Sequence, residues 1–232
     1  MGGGLKSVAE LLGDMRASIE RNAQPSEVCA CGAPTAYKST LCYACEEKLR
    51  ARIRLTEALA SVPTRFAWAR FEAAEMEARS RPLARAVAKA AALSPLVLLV
   101  GPAGAGKTSL AAAMLRTRVS AAEPGPGRVA FGRERILFAP ASRLAQARIE
   151  PPDPPDLVRR AMTTDLLVID DLGSPRSEPL SSPIPDIISE RHDWLRPLWV
   201  TTYLDPQALG ERYGAGVARR LYERAIVIDC AA

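Results

Sequence analysis

The stretch GPAGAGKTS, residues 101–109, lies between a run of apolar residues and a helix-forming segment. Leu96 to Val100 predict a buried parallel strand, and Ser109 to Arg118 predict a helix. The loop between them matches G-x-x-x-x-G-K-[ST] at each fixed position. Backbone amides in such a turn point at one spot, and the amino end of the helix adds partial positive charge. The pattern predicts a phosphate-binding loop, although similar turns also serve packing alone.

Each part of this loop has an expected role. The glycines let the backbone wrap around phosphates, Lys107 reaches the β- and γ-phosphate oxygens, and the Thr108 hydroxyl ligates Mg²⁺. The residues expected to contact the nucleotide are Gly101, Pro102, Ala103, Gly104, Ala105, Gly106, Lys107, Thr108 and Ser109.

A second signal is TTDLLVIDDLG, residues 163–173, in which the apolar run Leu166 to Ile169 ends in two acids. A central parallel strand would deliver these carboxylates beside the phosphate loop. We expect Asp170 to hold Mg²⁺ and Asp171 to orient and polarise the attacking water. An acid pair after a strand can also cap a helix, but the complete loop upstream favours the nucleotide role.

A third predicted strand, PLWVTTYL at 197–204, ends in three hydroxyl-bearing residues, Thr201, Thr202 and Tyr203. Such hydroxyls can contact the γ-phosphate and report hydrolysis, or they can be β-branched strand residues without that role. Several arginines follow near the carboxyl end of the chain. An arginine there can stabilise transition-state charge in a neighbouring subunit, as arginine fingers do, or lie on a solvated helix face.

Four of the five cysteines fall within VCACGAPTAYKSTLCYACEEK. Cys29 and Cys31 form a C-x-C pair, and Cys42 and Cys45 form a C-x-x-C pair. Two turn-borne pairs can close a tetrahedral zinc site, and the segment is too small to bury a core of its own. We expect a structural zinc ion, with free thiols or a redox pair as the alternatives.

The 232-residue chain, with 48% hydrophobic residues, is long enough for an α/β domain with a small appendage. It contains no apolar run of the ~18 residues that a membrane span needs, and charged residues interrupt its amino terminus, so we expect a cytoplasmic protein without a membrane partner. The net charge of +5 gives weak support for a nucleic-acid partner.

Further elements are predicted along the chain. An amphipathic helix at residues 5–21 either packs on the cysteine segment or docks a partner protein. Other expected elements are helices at 46–60 and 83–93, a strand at 136–142, and breaks at 121–128 and 150–156.

The series GPAGAGKTSLAAAML, LLVIDDLG, WVTTYLDPQAL and GVARRLYERAIVID resembles the DnaC/DnaI-type helicase loaders and the related IstB-type transposition ATPases of the AAA+ superfamily, over about residues 62–229. The resemblance implies that residues 101–108 are the Walker A loop and that Asp170 and Asp171 are the Walker B pair. It further implies Arg220 as the finger acting in trans. Tyr203 stands where the family often has a sensor asparagine, so Thr202 is expected to make that contact.

This resemblance implies an α/β P-loop AAA+ domain at 63–232, a helical linker at 51–62 and a helical, zinc-binding module at 1–50 that contacts the helicase. The implied function is ATP-dependent loading of a hexameric replicative helicase onto single-stranded DNA by a self-assembling ATPase that uses magnesium and is weak until assembled. A transposition helper ATPase and a nucleotide-gated DNA adaptor with little turnover remain as alternatives.

Overall fold

A computed structural model describes residues 28–35, 40–121, 135–147, 155–174 and 182–231. The helix expected at 5–21 and the break expected at 121–128 lie outside these residues, apart from residue 121. The chain divides into two compact units, residues 1–53 and 54–232, with the boundary inside a helix, α1, that runs from Tyr43 to Ala60.

The described part of the first unit contains a cysteine-bearing turn followed by the start of α1. Val28 and Pro34 form an antiparallel bridge, and the Cys29 amide donates to the Ala33 carbonyl at 2.9 Å. Gly32 closes the turn at a φ of 88°, a conformation that favours glycine. Helix α1 begins three residues earlier than the sequence predicts, directly after Cys42.

The second unit alternates helices and strands after a short 3-10 helix at Thr64–Phe66. Its elements are α2 (Ala74–Arg79), α3 (Pro82–Ala91), β1 (Leu96–Val100), α4 (Lys107–Ala121), β2 (Ile136–Pro140), α5 (Ala141–Gln146), α6 (Pro155–Thr163), β3 (Leu166–Leu172), α7 (Ile184–Asp193), β4 (Leu198–Thr202), α8 (Pro206–Tyr213), α9 (Ala215–Tyr222) and β5 (Ile226–Asp229).

The five strands form a parallel sheet in the order β2-β3-β4-β1-β5. Because all strands run in the same direction, the ends of β1, β3 and β4 meet at one edge of the sheet. Val100 of β1 pairs with Thr202 of β4, and Leu172 of β3 pairs with the same threonine across a register shift. The residues predicted from the sequence to bind and hydrolyse a nucleotide lie at this edge.

Helices cover both faces of the sheet, as expected for strands that are apolar on both sides. Helices α3 and α4 pack on the face that includes Val97, Val168 and Trp199. Helices α5 to α9 contribute to the core on the opposite face, which includes Leu98, Ile169 and Val200. The predicted α/β class with a parallel sheet between helices is confirmed.

Several element boundaries differ from those predicted. Helix α4 begins at Lys107 rather than residue 109, because the loop turns directly into the helix. The acid strand extends to Leu172 beyond the two acids, and β2 ends at Pro140, where α5 begins. Pro155 starts helix α6 inside the segment expected to be irregular, because proline is tolerated in the first helical turn. No helix in the described ranges combines the length and apolarity needed to cross a membrane.

Candidate nucleotide site and candidate metal centre

The loop between β1 and α4 packs tightly on one side and is open on the other. Gly106 has a φ of 78°, and a Cβ added there would lie 2.3 Å from the Arg79 carbonyl oxygen. Gly104 has a similar φ of 82°, but an added Cβ would meet nothing within 4 Å. The loop is therefore anchored against the end of α2 while its tip at Gly104 leaves space for a ligand.

Lys107 lies at the amino end of α4, and its side chain folds over this loop. Its Nζ donates to the carbonyls of Gly101 at 2.7 Å and Pro102 at 2.8 Å. Only 8% of the residue is exposed, and burial lowers the pKa of Lys107 despite the nearby negative groups of Asp170 and Asp171. A buried ammonium held by neutral carbonyls at a helix amino terminus is suited to an anionic ligand.

Asp170 ends the buried part of β3 and is connected to the phosphate loop. Its Oδ1 accepts hydrogen bonds from the Thr108 hydroxyl at 2.8 Å and the Thr201 hydroxyl at 2.7 Å. Only 5% of Asp170 is exposed, and burial raises the pKa of its carboxyl group, whereas the two hydroxyl bonds lower it. The structure thus brings together the two residues predicted to hold magnesium, which stand 62 positions apart.

Asp171 follows at a distorted point of the strand. Its φ is 60°, one of two positive values among the described non-glycine residues, and the register with β4 shifts between Ile169 and Leu172. Its amide donates to the Thr201 hydroxyl at 2.8 Å, and its side chain is exposed. Strain of this kind is common where a site fixes a side-chain direction.

The hydroxyls of residues 202 and 203 contact backbone groups after the acid pair. Thr202 is fully buried, and its hydroxyl donates to the Leu172 carbonyl at 2.8 Å and accepts from the Leu204 amide at 3.0 Å. Tyr203 donates to the Gly173 carbonyl at 2.8 Å. The Thr202 hydroxyl is therefore engaged by the protein backbone, and its predicted contact with a nucleotide stays a prediction.

A cavity of about 540 Å³ adjoins the open side of the loop. It is lined by residues 77–82, 102–105 and 230–231. Arg79 and Arg81 are among the residues that line it. Ser109, the last residue predicted to bind nucleotide, is buried in the first turn of α4 with 3% exposure.

Arg220 lies on α9, where its Nη1 donates to the Gly216 carbonyl at 3.3 Å. Its Nε is buried without a hydrogen-bond partner in the described part of the chain. Neighbouring Arg219 is paired with Glu223 at 2.8 Å, on an exposed surface. No hydrogen bond or ion pair joins Arg220 to the loop at 101–108 among the described residues, and its role in a second subunit stays a prediction.

The four clustered cysteines form a candidate metal centre. All four Sγ atoms lie within 4.8 Å of one another, and those of Cys31 and Cys42 are 3.5 Å apart. A tetrahedral zinc site with Zn–S bonds of about 2.3 Å needs S···S distances of about 3.8 Å. The cluster therefore fits a zinc ion, and the shorter C-x-C pair does not prevent its closure.

Hydrogen bonding within the cluster gives its thiols different pKa values. Bonds from the backbone amides of Cys31 and Cys42 lower the pKa of the Cys29 thiol to about 6. Bonds among the sulfur atoms, that with Cys31 first, raise the pKa of Cys45 to about 12. Zinc binding requires deprotonation of these thiols, because the thiolate is the form that ligates metal.

The sequence motifs identify neither Arg65 nor the hydrogen bond between Thr201 and Asp170. Arg65 stands on the 3-10 helix, 4.7 Å above the Phe66 ring, and its positive charge opposes the rise in the Asp170 pKa. No motif marks Arg65. The TT pair identifies Thr201 as a hydroxyl-bearing residue near the end of β4, but the register shift between Ile169 and Leu172 decides which hydroxyl reaches the acids.

Comparisons with known proteins bear on this arrangement. No family model and no curated protein sequence matches the chain. Among solved structures, the DnaC helicase loader is 21% identical with a TM-score of 0.54, covering 72% of this chain and 99% of that one. The chain therefore shares its fold with the DnaC helicase loader.

Two further structures share this fold. DnaI is 18% identical with a TM-score of 0.50, covering 78% of this chain and 91% of its own. The replication initiator DnaA, solved with AMPPCP and single-stranded DNA, is 20% identical with a TM-score of 0.50 over 72% of this chain and 50% of DnaA. The fold predicted from the motif order is confirmed by these likenesses.

Proposed function

We propose that this protein is a cytoplasmic ATPase that loads a hexameric replicative DNA helicase onto single-stranded DNA. The observation that carries the ATPase part is the Thr108–Asp170 hydrogen bond of 2.8 Å beside the buried Lys107 ammonium. These groups supply a cation for phosphate and a hydroxyl–carboxylate pair for magnesium at one edge of the sheet.

The binding roles follow from the positions of these groups. The amides of the loop at 101–106 bind phosphate oxygens, and Lys107 exchanges its two carbonyl partners for the β- and γ-phosphates. Thr108 and Asp170 would hold magnesium, which neutralises phosphate charge during transfer. The cavity beside Gly104 offers room for the rest of the nucleotide.

For hydrolysis, Asp171 orients and polarises the attacking water, since its exposed carboxylate follows Asp170 at the same edge. Arg220 of a neighbouring subunit stabilises the charge of the transition state after self-assembly, and Thr202 reports the state of the nucleotide. ATP turnover by an isolated chain is then weak, because the arginine finger comes from a second subunit.

The loading role rests on the shared fold and on the amino-terminal unit. Two structures that share this fold are the DnaC helicase loader and DnaA bound to single-stranded DNA, and they support a helicase and single-stranded DNA as partners. We assign helicase contact to residues 1–50, with a structural zinc ion on the four cysteines, and ATP hydrolysis to residues 63–232.

A pull-down with the full chain tests this proposal. The immobilised full chain is incubated with a hexameric replicative helicase or with a transposase, with and without ATP·Mg²⁺ and single-stranded DNA. Retention of the helicase, increased by ATP, is expected. Retention of the transposase alone would support the transposition-helper alternative and refute loading.

The Asp171→Asn variant separates a loader from a nucleotide-gated adaptor. Loading is expected to fail when hydrolysis is lost, although ATP and helicase still bind. If Asp171→Asn places the helicase on DNA and releases it as the parent protein does, the adaptor interpretation is correct instead.

A further inference from the structure

Thr201 occupies a connecting position in the nucleotide site. It is 1% exposed and lies on β4, the central strand between β3 and β1. Its hydroxyl donates to Asp170 Oδ1 at 2.7 Å and accepts from the Asp171 amide at 2.8 Å. One side chain therefore contacts both acids of the pair, one through the carboxylate and one through the backbone.

The contact with Asp170 restricts the direction of its carboxylate. Oδ1 has two lone pairs, and both are used, one by Thr201 and one by Thr108. Because the two donors approach the same oxygen, Oδ2 is left to point away from them. A carboxylate fixed in this way does not have to be ordered when a metal ion binds, so the entropic penalty of binding is smaller.

The contact with Asp171 stabilises a backbone conformation that is otherwise unfavourable. A φ of 60° is uncommon at a non-glycine residue, and such a conformation persists where surrounding hydrogen bonds hold it. The hydroxyl of Thr201 accepts the amide hydrogen at this residue, and no strand partner does so, because the register with β4 shifts there. The exposed direction of the Asp171 side chain depends on this turn.

We propose that Thr201 is a positioning residue for the metal-dependent step, holding Asp170 in its metal-binding direction and Asp171 in its outward turn through one hydroxyl. The proposal deepens the ATPase function proposed above and depends on it. It assigns Thr201 to the metal side of the site, whereas the phosphate loop and Lys107 bind the nucleotide independently of this residue.

The test compares ATP affinity in MgCl₂ with ATP affinity in EDTA for the full chain, because the ratio of the two isolates the contribution of the metal. Thr201→Val removes the hydroxyl and keeps the shape, and Thr201→Ser keeps the hydroxyl. Thr163→Val is the control, since its hydroxyl bonds the Arg159 carbonyl at the exposed end of α6. Melting temperatures are recorded for each variant.

For Thr201→Val we expect the magnesium-dependent gain in ATP affinity, and kcat after assembly, to fall by about tenfold to a hundredfold, as for other residues that orient metal ligands. Affinity in EDTA is expected to stay within about twofold of the parent, and Thr201→Ser to restore the gain. A metal-independent loss would assign Thr201 a merely structural role and overturn the proposal.

Equal magnesium gains in Thr201→Val and the parent would also overturn it, while leaving the ATPase function intact. A parent protein that binds no ATP in either buffer would overturn both. The two failures are therefore distinguishable in one experiment.

Discussion

The nucleotide site and the cysteine cluster differ in what holds their side chains in place. Asp170 lies in β3, and Lys107 begins the helix after β1; both strands belong to a five-stranded sheet that packs in a buried core on each face. In the described part of the first unit, the buried side chains are Cys29, Thr35 and Cys42, so two of the three are themselves metal-ligand candidates. The first site is formed by the fold, whereas the second depends on its ligand.

Removal of zinc is expected to give the largest difference between the two units. A strong chelator, or Cys42→Ser, should release about one zinc ion per chain and abolish amide protection at 28–35 and at the start of α1, because structural zinc supplies the folding free energy. The five strands of the second unit should keep their protection. Elemental analysis and hydrogen exchange measure these outcomes.

Cys230→Ala is the matched control, because this cysteine is buried in the second unit and far along the chain from the cluster. It is expected to keep its zinc. If the Cys42→Ser variant kept both its zinc and its amide protection, Cys42 would not be a required zinc ligand. The contrast between the two units would then fail.

Lys107→Ala is expected to weaken ATP binding by about a hundredfold, roughly 3 kcal/mol, because a buried charge pair with phosphate is lost. Zinc content should not change, since the second site is built separately. Lys89→Ala serves as the control: Lys89 pairs with Glu72 at 3.0 Å on an exposed surface, and such pairs contribute little. Calorimetry with ATP·Mg²⁺ that gave the same affinity for both lysine variants would contradict the assignment.

Two glycine substitutions test how tightly the loop is anchored by the fold. Gly106→Ala and Gly104→Ala introduce similar backbone strain, but only the former directs its Cβ at the Arg79 carbonyl. We expect a loss in unfolding free energy of about 1 kcal/mol for Gly104→Ala and about 3 kcal/mol for Gly106→Ala. Denaturant titrations without nucleotide measure both, and equal losses would mean that the loop moves freely away from α2.

Asp170→Asn is expected to stabilise the metal-free protein at neutral pH. Burial raises the pKa of Asp170 in the folded state, so folding binds protons and stability falls as pH rises from the unfolded value towards the folded one. Asparagine keeps an acceptor oxygen for both threonines without the buried charge, and we expect a gain of roughly 1 kcal/mol at pH 7.

That gain should disappear below about pH 3.9, where the aspartate is protonated in both states. Melting curves in EDTA across this range provide the measurement. An Asn variant less stable than the parent at every pH would contradict this expectation and indicate that the buried carboxylate itself stabilises the metal-free fold.

The sequence predicted those parts of the fold that depend on local pattern. The five apolar residues before Gly101 and the acids after Ile169 identified β1, β3 and the edge where they meet, because buried parallel strands and phosphate loops have strong local signals. The cysteine spacing likewise predicted a cluster, which the structure brings within metal-binding distance.

What the sequence did not reveal depends on contacts between distant residues. The Thr202 hydroxyl bonds Leu172 rather than an open site, and Thr201 reaches Asp170 from 31 positions away. Neither follows from strand alternation alone, because the register shift at Asp171 decides which hydroxyl faces which group. The approach of Arg79 to Gly106 is similarly a matter of tertiary packing.

Calorimetric titration of ATP into the full chain, in MgCl₂ and then in EDTA, tests the central claim most directly. We expect binding of about one ATP per chain, strengthened by magnesium, with the magnesium effect lost in Asp170→Asn and affinity weakened by about a hundredfold in Lys107→Ala. No uptake of ATP at saturating magnesium, or an Asp170→Asn variant with an unchanged magnesium effect, would contradict it.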